Sequence, residues 1–213
     1  MIATVIGSTG LTGSCLVGKL LADSEITQII SVSRKSLNIT NTKLTEVLIS
    51  DLAELPSIES RIRADLYFCC LGTTIKTAGS KENFEKVDHT TIVAFAKIAK
   101  AHEAKSFALV SAMGANANSR FFYNRVKGRT EDEVKALGLR SVIIFRPALL
   151  VGPRRELRLG ERIATKTLIP LSRLLPTRLK KSLITDVETL ATRMLAEGKA
   201  APGGVHVIPA KDI

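Results

Sequence analysis

Tyr123 and Lys127 stand four residues apart in Tyr123-Asn124-Arg125-Val126-Lys127, inside a stretch whose apolar spacing predicts a helix over 119–137. Residues at this separation share one helix face. An ammonium beside a phenol favours the phenolate, and a phenol so placed can give or take a proton at a carbonyl or an alcohol. Both residue types are common on helices, so the pair alone is weak. Twelve residues earlier Ser111 closes an apolar run and offers a hydroxyl as a third member.

The N-terminal segment adds a second kind of chemistry. A β-branched run (Ile2, Thr4, Val5, Ile6) stops at Gly7, glycines recur at 10 and 13, and apolar-periodic residues follow (Leu11, Cys15, Leu16, Leu20, Leu21). Strand, tight glycine turn and helix aim backbone N–H groups and a helix N-terminus at one point, which attracts phosphate. Gly7 permits the turn, Gly10 the approach of a pyrophosphate and Gly13 close helix–strand packing. The spacing is G-x-x-G-x-x-G rather than the usual dinucleotide fingerprint. After the second strand-like run comes Ser33-Arg34-Lys35, where an NAD-type site would place an acid near the ribose. Two bases without that acid favour a 2′-phosphate, hence NADP(H) over NAD(H). Asp51 reads either as an acceptor for adenine or, slightly preferred, as a helix N-cap. Gly72 lets the chain pass close to a cofactor, with Thr73 and Thr74 hydroxyls at hand.

Elements that would position these groups can be read from periodicity. Strand-like runs fall at 2–6, 28–33, 45–49, 66–70, 106–111, 141–145 and 204–208, with helical patterns at 11–22, 88–101 and 119–137 between them. Leu66–Cys70 and Ser141–Phe145 are apolar on both faces, as strands of a helix-covered parallel sheet must be. The pattern predicts one α/β domain over 1–213 with a doubly wound, mostly parallel sheet. Ligands in such sheets bind at the carboxyl ends of the strands, where all the groups above fall. Residues 153–185 are rich in Leu and Arg and broken by Pro170 and Pro176, predicting short helices. Thr185-Asp186-Val187-Glu188 matches a capping box and predicts a last helix over 185–197, stopped near Gly198. This tail is expected to form a small cap over the sheet edge.

Net charge is +11, and residues 146–181 carry ten bases against two acids. That asymmetry fits an anionic partner or a solvated basic face. Nucleic acid is disfavoured, because no aromatic follows Phe145 for base stacking. No apolar run is long enough to span a bilayer, and the first residues read as strand rather than as a secretory signal. The three cysteines, Cys15, Cys69 and Cys70, do not resemble a disulfide framework, so the expected compartment is cytoplasmic. Cys69 and Cys70 read as core residues. His89, His102 and His206 lack metal-ligand spacing, and no metal is expected.

Together these residues resemble the short-chain dehydrogenase/reductase superfamily in its atypical and extended branches. Asp51, the glycine turn, Tyr123–Lys127 and Phe145-Arg146-Pro147-Ala148-Leu149-Leu150-Val151-Gly152-Pro153 match in order. Phe68–Thr74, Val110–Ala115 and Phe122–Gly128 look like bacterial relatives of the Tat-interacting protein TIP30, along essentially the whole chain. The resemblance implies a Rossmann domain binding NADP(H), with oxidoreductase activity on a small carbonyl or alcohol. It places Gly7, Thr9, Gly10, Leu11, Thr12 and Gly13 at the pyrophosphate and Arg34 and Lys35 at the 2′-phosphate. Asp51 and Leu52 fall at adenine, and Leu71, Gly72 and Thr73 over the ribose. Pro147, Ala148, Leu149 and Leu150 fall on the nicotinamide side. Tyr123 matches the acid/base, Lys127 its ribose-binding partner, and Ser111 the carbonyl-orienting hydroxyl. In active reductases that hydroxyl stands at the second place of a Ser-Ser pair, usually about 13 residues before the tyrosine; here the second place is Ala112. The alternative is an NADP(H)-binding regulator or scaffold with little turnover, whose basic 154–181 segment is a docking surface. The superfamily also leaves a homodimer open.

Overall fold

The computed structural model describes residues 1–152 and 183–213. Its strands in chain order are β1 (Ile2–Ile6), β2 (Gln28–Ser33), β3 (Leu44–Leu48), β4 (Leu66–Cys69), β5 (Ser106–Val110), β6 (Ser141–Arg146), β7 (Leu149–Val151), β8 (Ile184–Asp186) and β9 (Gly204–Pro209). Seven of them form one sheet in the order β3-β2-β1-β4-β5-β6-β9, and every pairing in it is parallel. This is the doubly wound α/β arrangement expected from the apolar runs. Strand order reverses beside β1, so the crevice between the carboxyl ends of β1 and β4 is the topological switch point.

Alternation along the central strands sends side chains to two cores. Tyr67, Phe107, Val142 and Ile144 face Phe95, Ala96 and Ala99 of α4 (Ile92–Ala101) and Val134 of α5 (Phe122–Ala136). Phe68, Ala108, Ile143 and Phe145 face Leu16, Val17 and Leu20 of α1 (Leu11–Ala22) and Leu190, Ala191 and Met194 of the last helix. A strand covered on both sides has no polar face, which is why β4 and β5 are buried throughout.

The chain between β4 and β5 is more broken than its periodicity suggests. Two short helices, α2 (Ile75–Ala78) and α3 (Lys81–Glu85), lead into a π turn over Lys86–Thr91 before α4 begins. The expected helix over 88–101 therefore starts with a widened turn. Thr91 Oγ1 donates to the Lys86 carbonyl at 2.8 Å across it. Such bulges recur at functional sites.

The C-terminal expectations need correcting. The last helix, α6 (Val187–Ala200), packs on α1 beneath the sheet, and β9 adds a seventh strand; neither caps the sheet edge. Its N-cap is Asp186, whose carboxylate accepts from Thr189 N–H at 2.8 Å. Thr185 is buried in β8 instead, its Oγ1 accepting from Ala148 N–H at 3.0 Å. Helix α6 also runs through Gly198 rather than stopping there. A Cβ at that position would lie 2.7 Å from the Phe68 ring, so the glycine serves helix–sheet contact. The small β7–β8 pair was not expected, since three residues are too few for a periodic signal. Residues 153–182 of the expected helical cap lie outside the described residues.

Candidate functional site

Parallel pairing brings every strand end to one edge of the sheet. Gly7 follows β1, Arg34 follows β2, Asp51 lies just past β3, Gly72 just past β4, Ser111 follows β5 and Pro147 follows β6. Residues more than a hundred apart in sequence thus share one rim.

The glycine turn at the head of α1 is sterically committed. Gly7 has φ +76°, and a Cβ there would meet the Cys70 carbonyl at 2.8 Å. A Cβ on Gly13 would lie 2.2 Å from Gly7 O. The first helical bond is Ser14 N–H to Gly10 O at 2.9 Å, so the N–H groups of Leu11, Thr12 and Gly13 precede the helix's own acceptors. No side chain caps this end, and no acidic residue occupies the first turn. An uncapped, positively poised helix end behind a glycine turn fits a pyrophosphate. Thr9 is exposed at the turn, whereas Thr12 is buried. Gly152, past β7, closes on this region, its missing Cβ facing Val187 at 2.2 Å and Leu11 at 3.6 Å.

Arg34 and Lys35 are both exposed beyond β2. Asp51 makes the cap preferred from the sequence: Oδ1 accepts from Ala53 N–H at 2.9 Å, and Glu54 accepts from Asp51 N–H at 2.8 Å. Leu52 and Leu71 are half-buried against the core beside β3 and β4. Pro147 O accepts from Met113 N–H at 2.9 Å, tying the loop after β5 to that after β6. Leu149 and Leu150 form β7, and Leu150 packs onto the core.

On α5, Tyr123 is half-buried against Phe84 of α3, ring centroids 5.5 Å apart. Lys127, one turn on, is 4% exposed, and its Nζ lies 2.8 Å from Oδ1 of Asp88, which is fully buried. Burial works to lower the Lys127 pKa, but the charges of Asp88 and Tyr123 outweigh it and hold it above the ordinary lysine value. The ammonium therefore stays charged. Asp88 Oδ2 accepts from Thr73 N–H at 2.8 Å, and the Asp88 carbonyl accepts from Thr130 Oγ1 at 2.8 Å. Asp88 escaped the sequence reading because it lies 39 residues from Lys127 in an unremarked stretch. Only its place at the start of an apolar helix pattern could have drawn attention.

Ser111 does not join this group. Its Oγ donates to Glu131 Oε1 at 2.5 Å, and Glu131 is clasped by Arg146 through Nε at 3.0 Å and Nη2 at 2.5 Å. Both Ser111 and Glu131 are buried. A hydroxyl has one proton to donate, so the expected carbonyl-orienting role meets a competing, charge-assisted partner. Burial pushes the Cys69 thiol up to about 12, against a smaller lowering by a backbone N–H of Leu71, and holds Cys70 well above its usual value, with the neighbouring cysteines adding to it. Neither is poised as a thiolate, in keeping with their reading as core.

A doubly wound parallel sheet with a bare glycine turn at its switch point defines a nucleotide-binding protein. Residues 7–173 match the model of the NAD(P)H-binding family, and the chain belongs to that family. It is 38% identical over 156 residues to "Protein FMP52-1, mitochondrial" of Scheffersomyces stipitis, covering 72% of this chain and 69% of that one. It is 32% identical over 207 residues to "Protein fmp52-1, mitochondrial" of Aspergillus terreus, covering 94% and 89%. Among solved structures it is similar to Pal from Bacillus thuringiensis (TM-score 0.76, 17% identity, 98% of this chain and 77% of that one). It is also similar to MoeE5 in complex with UDP-glucuronic acid and NAD (TM-score 0.74, 18% identity, 99% and 76%). The resemblance holds at the level of an NAD(P)H-binding family with a Rossmann fold. None of the relatives named here bears the TIP30 name, and that narrower likeness stays one of motifs.

The mitochondrial names overturn the cytoplasmic expectation. Unpaired cysteines argue against a disulfide scaffold and carry no information on which membrane-bounded compartment holds a chain. Among the described residues no helix is long and apolar enough to cross a membrane.

Proposed function

We propose that the chain is an NADP(H)-dependent oxidoreductase acting on a small carbonyl or alcohol, with Tyr123 as the acid/base and Lys127 as its charged partner. The observation that carries this reading is the buried Lys127 ammonium, held charged by Asp88 one helical turn from Tyr123. The nicotinamide, when bound, supplies or takes the hydride. The chain's own residues do the rest. N–H groups of Leu11, Thr12 and Gly13, with Gly7, Gly10 and Thr9 shaping the turn, hold the pyrophosphate. Arg34 and Lys35 take the 2′-phosphate, and Asp51 and Leu52 flank adenine. Leu71, Gly72 and Thr73 lie along the ribose, and Pro147, Leu149 and Leu150 wall the nicotinamide side. Lys127 binds ribose, and Tyr123 passes a proton to or from the substrate oxygen.

Ser111 is left out of the catalytic set, because its hydroxyl is committed to Glu131. That same commitment, with Ala112 beside it, favours the second reading: an NADP(H)-binding regulator with weak turnover or none. Thermal unfolding with NADPH, NADH and neither tests the shared part, since a ligand of the native state must raise the transition. A rise with NADPH supports both readings, and no rise with either nucleotide refutes both. A panel of carbonyl compounds then separates them. The oxidoreductase reading expects NADPH oxidation by the wild type, abolished in Tyr123→Phe with NADPH affinity unchanged. Undiminished turnover in that variant refutes the mechanism.

A further inference from the structure

The chain between β2 and β3, residues 34–43, has neither helix nor strand, and it contains no glycine or proline. It carries Arg34 and Lys35, both exposed, so regular backbone does not fix where the two cations stand. Side chains hold it instead. Ser33, buried at the end of β2, donates its Oγ proton to the Lys35 carbonyl at 2.7 Å. Glu46, half-buried on the edge strand β3, takes the next two residues: Oε2 accepts from Ser36 Oγ at 2.7 Å and Oε1 from Leu37 N–H at 2.7 Å. Ser36 Oγ in turn accepts from Asn38 N–H at 2.9 Å, and Asn38 stands in the left-handed region at φ +56°. The two cations are thus bracketed, by a hydroxyl on one side and a carboxylate of the neighbouring strand on the other.

By charge alone Glu46 is out of place. A carboxylate bonded to the residue next to Lys35 opposes a phosphate at Arg34 and Lys35. Its hydrogen bonds act the other way. Both oxygens are taken by donors of the loop, and such charge-assisted bonds are the stronger kind. A loop ordered before the ligand arrives loses less freedom on binding. We propose that Glu46 is a positioning residue for the 2′-phosphate, ordering the Arg34–Lys35 loop and so raising the discrimination of NADPH from NADH. The inference rests on the NADP(H) reading above and gives it a residue, on a different strand, that the sequence did not reveal. Repulsion and ordering have opposite signs. Removing the carboxylate tightens NADPH if repulsion dominates and weakens it if ordering does.

The experiment is fluorescence titration of the full chain with NADPH and with NADH, which differ only by the 2′-phosphate. Wild type is expected to bind NADPH about tenfold or more tightly than NADH. Glu46→Ala should cut that preference about fivefold, the size of one ordinary hydrogen bond, with NADH affinity held within about twofold. Glu46→Gln should keep the preference within about twofold of wild type, because its amide oxygen can accept from Leu37 N–H and its amide nitrogen can donate to Ser36 Oγ. Ser36→Ala removes one of the two donors, should cut the preference about threefold, and decides if Glu46→Ala does not fold. A preference unchanged or enlarged in the deciding variant overturns the proposal. So does a loss in Glu46→Gln as large as that in Glu46→Ala. Equal weakening of both nucleotides in the deciding variant marks a merely structural contact and overturns it as well. Wild type with no preference for NADPH overturns the 2′-phosphate site and the role of Glu46 with it; wild type that keeps the preference beside an indifferent Glu46→Ala overturns the role of Glu46 alone.

Discussion

Replacing Gly13 by Ala puts a methyl 2.2 Å from Gly7 O, 2.8 Å from Ser8 Cα and 2.9 Å from Gly7 C, where ordinary contact begins at 3.4 Å. All three obstacles are backbone, so no rotamer change relieves them. Overpacking of this kind costs about 1–3 kcal/mol, and a rigid backbone obstacle points to the upper end. Alanine returns about 1 kcal/mol of helix propensity. The control is Gly18→Ala in the same helix, where nothing lies within 4 Å of the added methyl. It should gain about 1 kcal/mol by the same propensity argument. The two variants are thus expected to differ by about 3 kcal/mol, or roughly 6 °C or more in Tm for a chain of this size. Function should separate them further. Forcing α1 away from the turn displaces the N–H groups of Leu11, Thr12 and Gly13, so Gly13→Ala should lose NADPH binding by about tenfold or more, while Gly18→Ala keeps it. Urea denaturation and NADPH fluorescence titration on both variants read the two effects. Equal stability with equal NADPH affinity would refute the assignment of the turn.

Other expectations follow from the same geometry. Arg34→Ala with Lys35→Ala should weaken NADPH by about tenfold or more and leave NADH within about twofold, as loss of charge-assisted contacts to one phosphate requires; equal weakening of both nucleotides would remove these residues from the 2′-phosphate. Ser111→Ala should lower stability by about 1–2 kcal/mol, because Glu131 keeps Arg146 but loses a donor. Once a substrate is found, its turnover should stay within about twofold of wild type; a drop of a hundredfold would restore Ser111 to the catalytic set. His102 contacts Tyr67 Oη at 2.6 Å, and burial holds its pKa below the ordinary histidine value, with Glu59 opposing and Arg63 assisting. A depressed folded-state pKa means stability is present above the unfolded value, about 6.5, and is lost as pH falls through the folded one. Urea midpoints between pH 7.5 and 5 should therefore fall more steeply for wild type than for His102→Gln, and parallel slopes would contradict this.

What the sequence determined on its own is local. Every strand of the main sheet was legible from its β-branched and apolar residues: in central strands such as β4 and β5 the runs report burial on two faces, whereas the edge strand β9 is largely exposed. The glycine turn was legible because glycine spacing reports where backbone must pass backbone. Tyr123 and Lys127 were legible because a helix places residues four apart on one face. Tertiary structure decided the rest, since it concerns partners distant in the chain. The acid that holds Lys127 is Asp88, 39 residues away and presented by a π turn that apolar periodicity cannot distinguish from an α turn. The resemblance offers Ser111 as the carbonyl-orienting hydroxyl, one residue off the usual spacing, and packing of α5 against β5 and β6 gives it to Glu131. Gly198 looks like a helix stop until the Phe68 ring beneath it shows why a side chain is excluded. Periodicity fixes which face of an element turns inward; which buried polar groups then meet depends on how those faces are brought together, and only three-dimensional packing carries that.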